Sequence, residues 1–299
     1  MSNTSIYDTP DHELLRDQVA RFIAREVEPH ADGWEEQGFV PREVLRRMGQ
    51  AGLFGLMYEE AYGGAGGDAM TNLVFAEALS QSTYAGFIIT VLVHTDMASP
   101  HLHHAGTPAQ KEKYLKKVIA GELITAVGIT EPGAGSDVAG IRTSARREGD
   151  EWVLNGTKMF ITNGVHADLY FVAAKTGPGK RDMSMFIIEK GTPGFSVGRA
   201  LKKTGWLSSD TAELVLTVGT VFVEELAVVG EEDADHDILA AGEVPEEPGD
   251  RVEAGCGAAA QLVVGEPGQD LVGEHGFGGV GQGGGVRVGV LVEQEVEKI

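Results

Sequence analysis

The hydrophobic pattern changes period near residue 122, and that change constrains the fold more than any other feature of the chain. Before it, apolar residues recur at helical spacing. Leu14, Val19, Phe22, Ile23 and Val27 mark an amphipathic helix over residues 11–28, closed by Pro29. Pro41 opens a second helix at a favoured first-turn position, with Val44, Leu45 and Met48 on one face and Gly49 and Gly52 at its end. Residues 71–80 and 86–98 read as further helices, the second apolar enough to be buried. Pro108 starts a charged helix that Gly121 ends. Residues 1–121 are therefore expected to form a helical domain.

After residue 122, short apolar runs alternate with Gly, Pro and Asn. Residues 123–130, 144–147, 151–154, 158–162, 169–174, 183–189 and 195–197 are strand candidates, and Gly149-Asp150 is placed as a hairpin turn. This spacing predicts a compact sheet or small barrel over residues 122–216. The expected fold class is α+β, a helical domain followed by a small β-barrel-like domain.

A third pattern starts at Leu216. Residues 218–299 contain no Ser, Asn, Tyr, Trp or Met, and Gly, Val, Glu and Ala dominate. Few large side chains are left there to offset chain entropy. Residues 217–299 are read as an aberrant tail. An altered reading frame of a GC-rich gene is the favoured account, and a genuine disordered acidic tail is the other. Charge divides in the same way. The net charge is −21, but from Leu216 onward there are 18 acids against 3 bases, so most of the acidity belongs to the tail.

That balance argues against nucleic-acid binding, which needs a basic face. No 18-residue apolar run suggests a membrane span, and the polar, acidic start does not read as a signal peptide. The one cysteine, Cys256, excludes an internal disulfide and gives no metal pattern. A cytoplasmic protein is the default expectation.

Two segments carry chemistry: VGITEPGAGSDVAG at 127–140 and NGTKMFITNG at 155–164. In the first, an apolar strand delivers Thr130, and Glu131-Pro132 turns the chain. Gly133 and Gly135 allow close backbone approach to a ligand. Ser136 adds a hydroxyl, and successive amides in such a turn can hold an anion. A phosphorylated cofactor fits these residues, and so does a tight loop self-capped by Ser136 and Asp137. YGGAGGD at 62–68 reads as a flexible turn rather than a phosphate cradle, because no Lys-Ser/Thr follows it. His101, His103 and His104 read as a surface cluster at a helix end, since no Cys or acidic partner follows at ligand spacing.

Together these segments resemble the flavin-binding core of the acyl-CoA dehydrogenases. Further family-like segments occur in order: EEAYGGAG (59–66), AGTPAQKEKYL (105–115), KGTPGFSVG (190–198) and TGWLSSDTAEL (204–214). The resemblance covers residues 1 to about 215. It implies an N-terminal helical domain, a middle β domain and a C-terminal four-helix bundle. The bundle has no counterpart in the tail as read.

The resemblance also implies FAD as cofactor, an acyl-CoA substrate, an electron-transfer flavoprotein as electron acceptor, and a homotetramer or homodimer. By motif, Val127, Gly128, Ile129 and Thr130 would line the flavin. Ser136 would reach the FAD pyrophosphate or the acyl-CoA. Phe160, Ile161 and Thr162 would pack on the isoalloxazine, with Thr162 donating toward N5. The family often has Trp where Phe160 stands. His94 and Thr95 would lie near the acyl pocket, and Ser208–Thr211 would form a strand-edge turn.

The implied reaction is α,β-dehydrogenation of the thioester. It requires a carboxylate base with a raised pKa in an apolar cleft. In the family that base comes from the C-terminal bundle. Glu131 is therefore read as part of the flavin loop, Asp137 as a turn cap, and Glu274 as a chance match in a glycine-rich tail. No catalytic base is assigned, and the chain as written is expected to be inactive. A non-catalytic remnant or acyl-CoA-binding fragment is the rival reading, and a related flavoprotein oxidase a third.

Overall fold

The computed structural model describes residues 9–149, 151–217 and 224–226, together with two strands further on. Helix α1 (Pro10–Phe22) begins where local chemistry favours it. The Thr9 hydroxyl accepts the His12 amide, the His12 ring accepts the Thr9 amide, and Pro10 occupies the first turn. It runs on through a wider turn, Ile23–Val27. Short α2 (Ala31–Gln37) ends at Gly38, whose φ of 86° suits glycine. Pro41 then caps α3 (Arg42–Gln50).

Asp68 caps α4 (Ala69–Leu79) by accepting the Thr71 amide at 2.9 Å. Helix α5 (Ala85–Leu92) continues through the wide turn Val93–Ala98 into α6 (Ser99–Ala105). A Thr107–Gln110 capping box opens α7 (Pro108–Gln110), which leads through Lys111–Leu115 into α8 (Lys116–Ile119). Val19, Val27, Trp34, Met48, Phe54, Phe75 and Phe87 fill the core between these helices. The expected helices are present, and α2 and α6 are additional to them.

The sheet follows. Strand β1 (Thr125–Gly128) runs parallel to β4 (Leu169–Lys175), with Val127 opposite Phe171. The hairpin of β2 (Ser144–Glu148) and β3 (Glu151–Thr162) pairs Glu148 with Glu151, as the turn signal predicts. The two runs expected at 151–154 and 158–162 are one strand. Its first half pairs with β2 and its second half with β7 (Thr211–Leu216). The strand changes partner at Gly156. A Cβ there would lie 2.7 Å from Thr143 Cα, so only glycine fits. Strands β5 (Met183–Glu189) and β6 (Phe195–Ala200) pair with β4 and β7. Leu154, Ile161, Tyr170, Phe186 and Leu214 form the inner core.

The sheet continues past residue 216. Strand β8 (Glu224–Glu225) pairs with β5, and Leu226 donates its amide to the Met185 carbonyl at 2.9 Å. Leu226 is 2% exposed against Leu102 and Leu115. Lys113 holds Glu224 at 2.6 Å, and Gln110 Nε2 donates to the Glu225 carbonyl at 3.1 Å. Composition groups these acidic residues with the tail, yet they extend the sheet.

Strands β9 (Gln261–Val264) and β10 (Val288–Leu291) form an antiparallel pair in a separate unit. The rest of the tail reading, including Cys256 and Glu274, lies outside the described residues. Among the described residues no helix is long and apolar enough to cross a membrane.

Candidate functional site

The fold brings the two motifs side by side. The Met159 amide donates to the Thr130 carbonyl at 2.8 Å. One residue earlier, Lys158 Nζ donates to the Ile129 carbonyl at 3.0 Å and to Glu131 Oε1 at 2.7 Å. Glu131 also accepts the Arg142 amide at 2.6 Å and the Thr143 amide at 2.9 Å. Burial pushes the Glu131 carboxyl up, but the Lys158 ammonium and these hydrogen bonds outweigh it and hold its pKa below the usual range. Glu131 is thus a charged anchor inside the protein and not a proton acceptor waiting for substrate.

The turn between Glu131 and Arg142 stands open. Paired amides and carbonyls of Glu131 and Ala134 close its base. A Cβ at Gly133 or Gly135 would meet nothing within 4 Å. Ser136 is exposed, and so is Val138. In β1, Val127 packs toward the helices and Gly128 faces the core of the sheet domain, where Lys158, Val172 and Leu214 surround it. Ile129 and Thr130 are half-buried. Their carbonyls are already engaged by β3, which leaves side chains and the outer surface for a ligand.

Phe160 is the exposed aromatic of the site. It is 65% exposed and adopts φ 61°, within the irregularity of β3 between Lys158 and Ile161. That irregularity breaks the strand's alternation. Lys158 and Ile161 both turn inward, and Phe160 is left outside. The Ile161 side chain belongs to the inner core, so it does not pack outward as the resemblance implied. Thr162 is half-buried where β3 meets Thr211 of β7.

Asn163 follows with φ 61° and 1% exposure. Its Nδ2 donates to the Thr90 carbonyl at 3.0 Å and the Thr125 carbonyl at 3.1 Å, joining α5 to β1. The Asn163 amide donates to Asp210, whose carboxylate accepts the Val165 amide at 2.6 Å. Glu35 of α2 accepts the Leu207 amide at 2.7 Å and the Ser208 amide at 3.1 Å, and so grips the turn before β7. Sequence reasoning gives Lys158 and Glu35 no role, and Asn163 none beyond its place in the second motif. The Asn163-Gly164 dipeptide was the one local signal.

Other expectations shift. His94 is 1% exposed and fully engaged inside the protein. Its Nε2 donates to the Val118 carbonyl at 3.2 Å, and its Nδ1 accepts the Thr125 amide at 3.1 Å. Thr95 is likewise buried and donates to the Val91 carbonyl. In the histidine cluster, His101 and His103 are half-buried, and His103 stacks on Tyr58 at 4.8 Å. Burial lowers the pKa of both. The 62–68 loop is tightly held rather than loose. The amides of Gly64, Ala65, Gly66 and Gly67 all bond to backbone carbonyls, so none is free to cradle a phosphate.

Two hollows accompany the site. An open depression of about 690 Å³ near Thr9, Leu56, Asp68 and Met70 contains no residue of the 127–140 or 155–164 segments. A cavity of about 70 Å³ lies among Arg42, Thr90, Asn163 and Asp210, with room for water but not for a substrate.

Sequence models of two families match the chain: "Acyl-CoA dehydrogenase, N-terminal domain" at residues 9–122 and "Acyl-CoA dehydrogenase, middle domain" at residues 126–218. The chain belongs to the acyl-CoA dehydrogenase family. It is 42% identical over 228 residues to the mitochondrial long-chain specific acyl-CoA dehydrogenase of Mus musculus, covering 74% of this chain and 52% of that one. An acyl-CoA dehydrogenase structure from Geobacillus kaustophilus matches with a TM-score of 0.71 and 39% identity, covering 75% and 60%. A glutaryl-CoA dehydrogenase from Mycobacterium smegmatis, in complex with FADH2, matches with a TM-score of 0.67 and 33% identity, covering 72% and 54%. The chain thus spans about half the length of the mouse relative.

Proposed function

We propose that Ile129, Thr130, Ser136, Phe160 and Thr162 line the flavin-facing wall of an acyl-CoA dehydrogenase. The observation that carries this reading is Phe160, a planar apolar side chain held 65% exposed in a left-handed conformation directly after the Met159–Thr130 contact. Keeping it there costs on the order of 1–3 kcal/mol of backbone strain, which fits a position that a ligand repays. The open glycine turn and the exposed Ser136 fit the phosphate-bearing part of the same ligand. The FADH2 complex of the Mycobacterium relative supports FAD.

In this reading, bound FAD supplies the acceptor for the hydride that leaves the β carbon of an acyl-CoA thioester. Phe160 and Thr130 shield the flavin from water, Thr162 offers a hydroxyl toward its ring edge, and Ser136 holds a phosphate of FAD or of CoA. An electron-transfer flavoprotein is the proposed electron acceptor, and a homodimer or homotetramer the proposed assembly.

The α proton needs a carboxylate, and the two motifs do not supply one. Glu131 is committed to Lys158 and two amides, and Asp137 sits in the exposed turn. The chain on its own is therefore proposed to bind FAD weakly and to leave acyl-CoA unoxidised. The test is addition of FAD, an acyl-CoA and a reducible dye to the purified chain. Flavin binding without dye reduction is expected, and acyl-CoA-dependent dye reduction would refute the inactive reading.

A further inference from the structure

We propose that Lys158 is a positioning residue for the flavin-facing wall, acting through Glu131 and the Ile129 carbonyl. This rests on the flavin reading above. The Lys158 side chain has 0% exposure and that of Glu131 6%. A buried ion pair contributes little net stability compared with apolar residues of the same volume, so its presence calls for another explanation. Geometry supplies one.

Lys158 Nζ contacts oxygens of residues 129 and 131, on either side of Thr130. The Glu131 carboxylate in turn receives the amides of Arg142 and Thr143, at the far end of the glycine turn. One ammonium therefore gathers the entry and the exit of the 132–141 turn and fixes both to β3. The next residue, Met159, bonds to Thr130 itself, and the one after is Phe160. The position of Ser136 relative to Phe160 is thus referred to a single buried charge. Gly128 lies beside this side chain, where a Cβ would sit 3.4 Å from Lys158 Cγ, at van der Waals distance.

An apolar replacement would fill the volume but leave the Glu131 charge with two amides and no counter-ion. The turn would then have to move to give that carboxylate water. A merely stabilising pair and a positioning pair differ in one respect. Removing both charges restores stability in either case, but it restores the placement of the turn only if the pair does not set it.

The test uses the 299-residue chain, Lys158→Met and Lys158→Met/Glu131→Gln. The readouts are thermal melting, amide exchange at Arg142 and Thr143, and FAD titration. The expected result is that Lys158→Met lowers protection of both amides and weakens FAD binding about tenfold or more. The double variant should regain melting behaviour without regaining FAD affinity or amide protection. Should Lys158→Met fail to fold, the double variant decides alone. Wild-type protection and affinity in the double variant would overturn the proposal. If the parent chain binds no FAD, the flavin reading fails. Exchange at Arg142 and Thr143 then still decides whether Lys158 holds the turn.

Discussion

The Met159 amide donates to the Thr130 carbonyl at 2.8 Å, so two motifs far apart in sequence become hydrogen-bonded neighbours in space. That contact continues the line of β1 beyond its last residue, Gly128, and sets Thr130 beside the exposed end of β3.

Phe160 should be a functional rather than a stabilising residue. Its φ of 61° disfavours any residue but glycine, and its side chain is mostly in solvent. Phe160→Gly should therefore leave stability unchanged or raise it by about 1 kcal/mol, since relief of strain offsets the extra chain freedom. The same change should weaken FAD binding about 3- to 10-fold through the lost ring contact. Denaturant midpoints and FAD titration on one preparation test both. Loss of stability with unchanged FAD affinity would reverse the assignment.

Asn163 should behave in the opposite way. Its amide nitrogen joins the Thr90 and Thr125 carbonyls inside the protein. Asn163→Ala would take one donor from each carbonyl, the Thr90 carbonyl keeping the Val93 amide, and force alanine into a left-handed conformation, at a cost of about 2–4 kcal/mol. Asn163→Gly removes only the hydrogen bonds and should cost less. Equilibrium denaturation should rank the three proteins in that order. Equal stability of all three would show that this joint carries no strain or bonding energy.

His94 gives stability a pH dependence. Burial lowers its pKa from 6.5 to about 4, against the raising effects of the Val118 carbonyl and Asp168. The folded state therefore resists a proton that the unfolded chain accepts. Its contribution is complete above pH 6.5 and is lost as pH falls toward 4, to a total on the order of 3 kcal/mol. His94→Gln cannot gain that charge, so its stability should fall less between pH 7 and 4.5 than that of the parent. Superimposable pH profiles would remove His94 as a source of acid sensitivity.

Periodicity made the two-part architecture legible, because helices and strands repeat at different intervals. Helix α2 escaped because only Ala31 and Trp34 bury in it, too few positions to show a period. Strand β7 alternates along Thr211–Leu216, but its start lies inside a motif read as a turn. Glu224–Leu226 was submerged in the average composition of the residues after it.

The site was legible by resemblance, and less so by physics. Lys158 lies in an apolar strand, and its partner Glu131 is 27 positions away. Nothing local reveals that the pair is buried. The strand irregularity that reverses Phe160 relative to Lys158 and Ile161 leaves no mark in the amino-acid pattern either. Side-chain parity in a strand is reliable only while the ladder is regular.

The most direct measurement is a titration of the purified 299-residue chain with FAD, followed by visible absorbance and flavin fluorescence, with Phe160→Ala in parallel. The account predicts a weak but saturable flavin perturbation in the parent chain and weaker binding still in Phe160→Ala. No saturable change in the parent chain, or identical binding by both proteins, would contradict the assignment of this surface as a flavin wall.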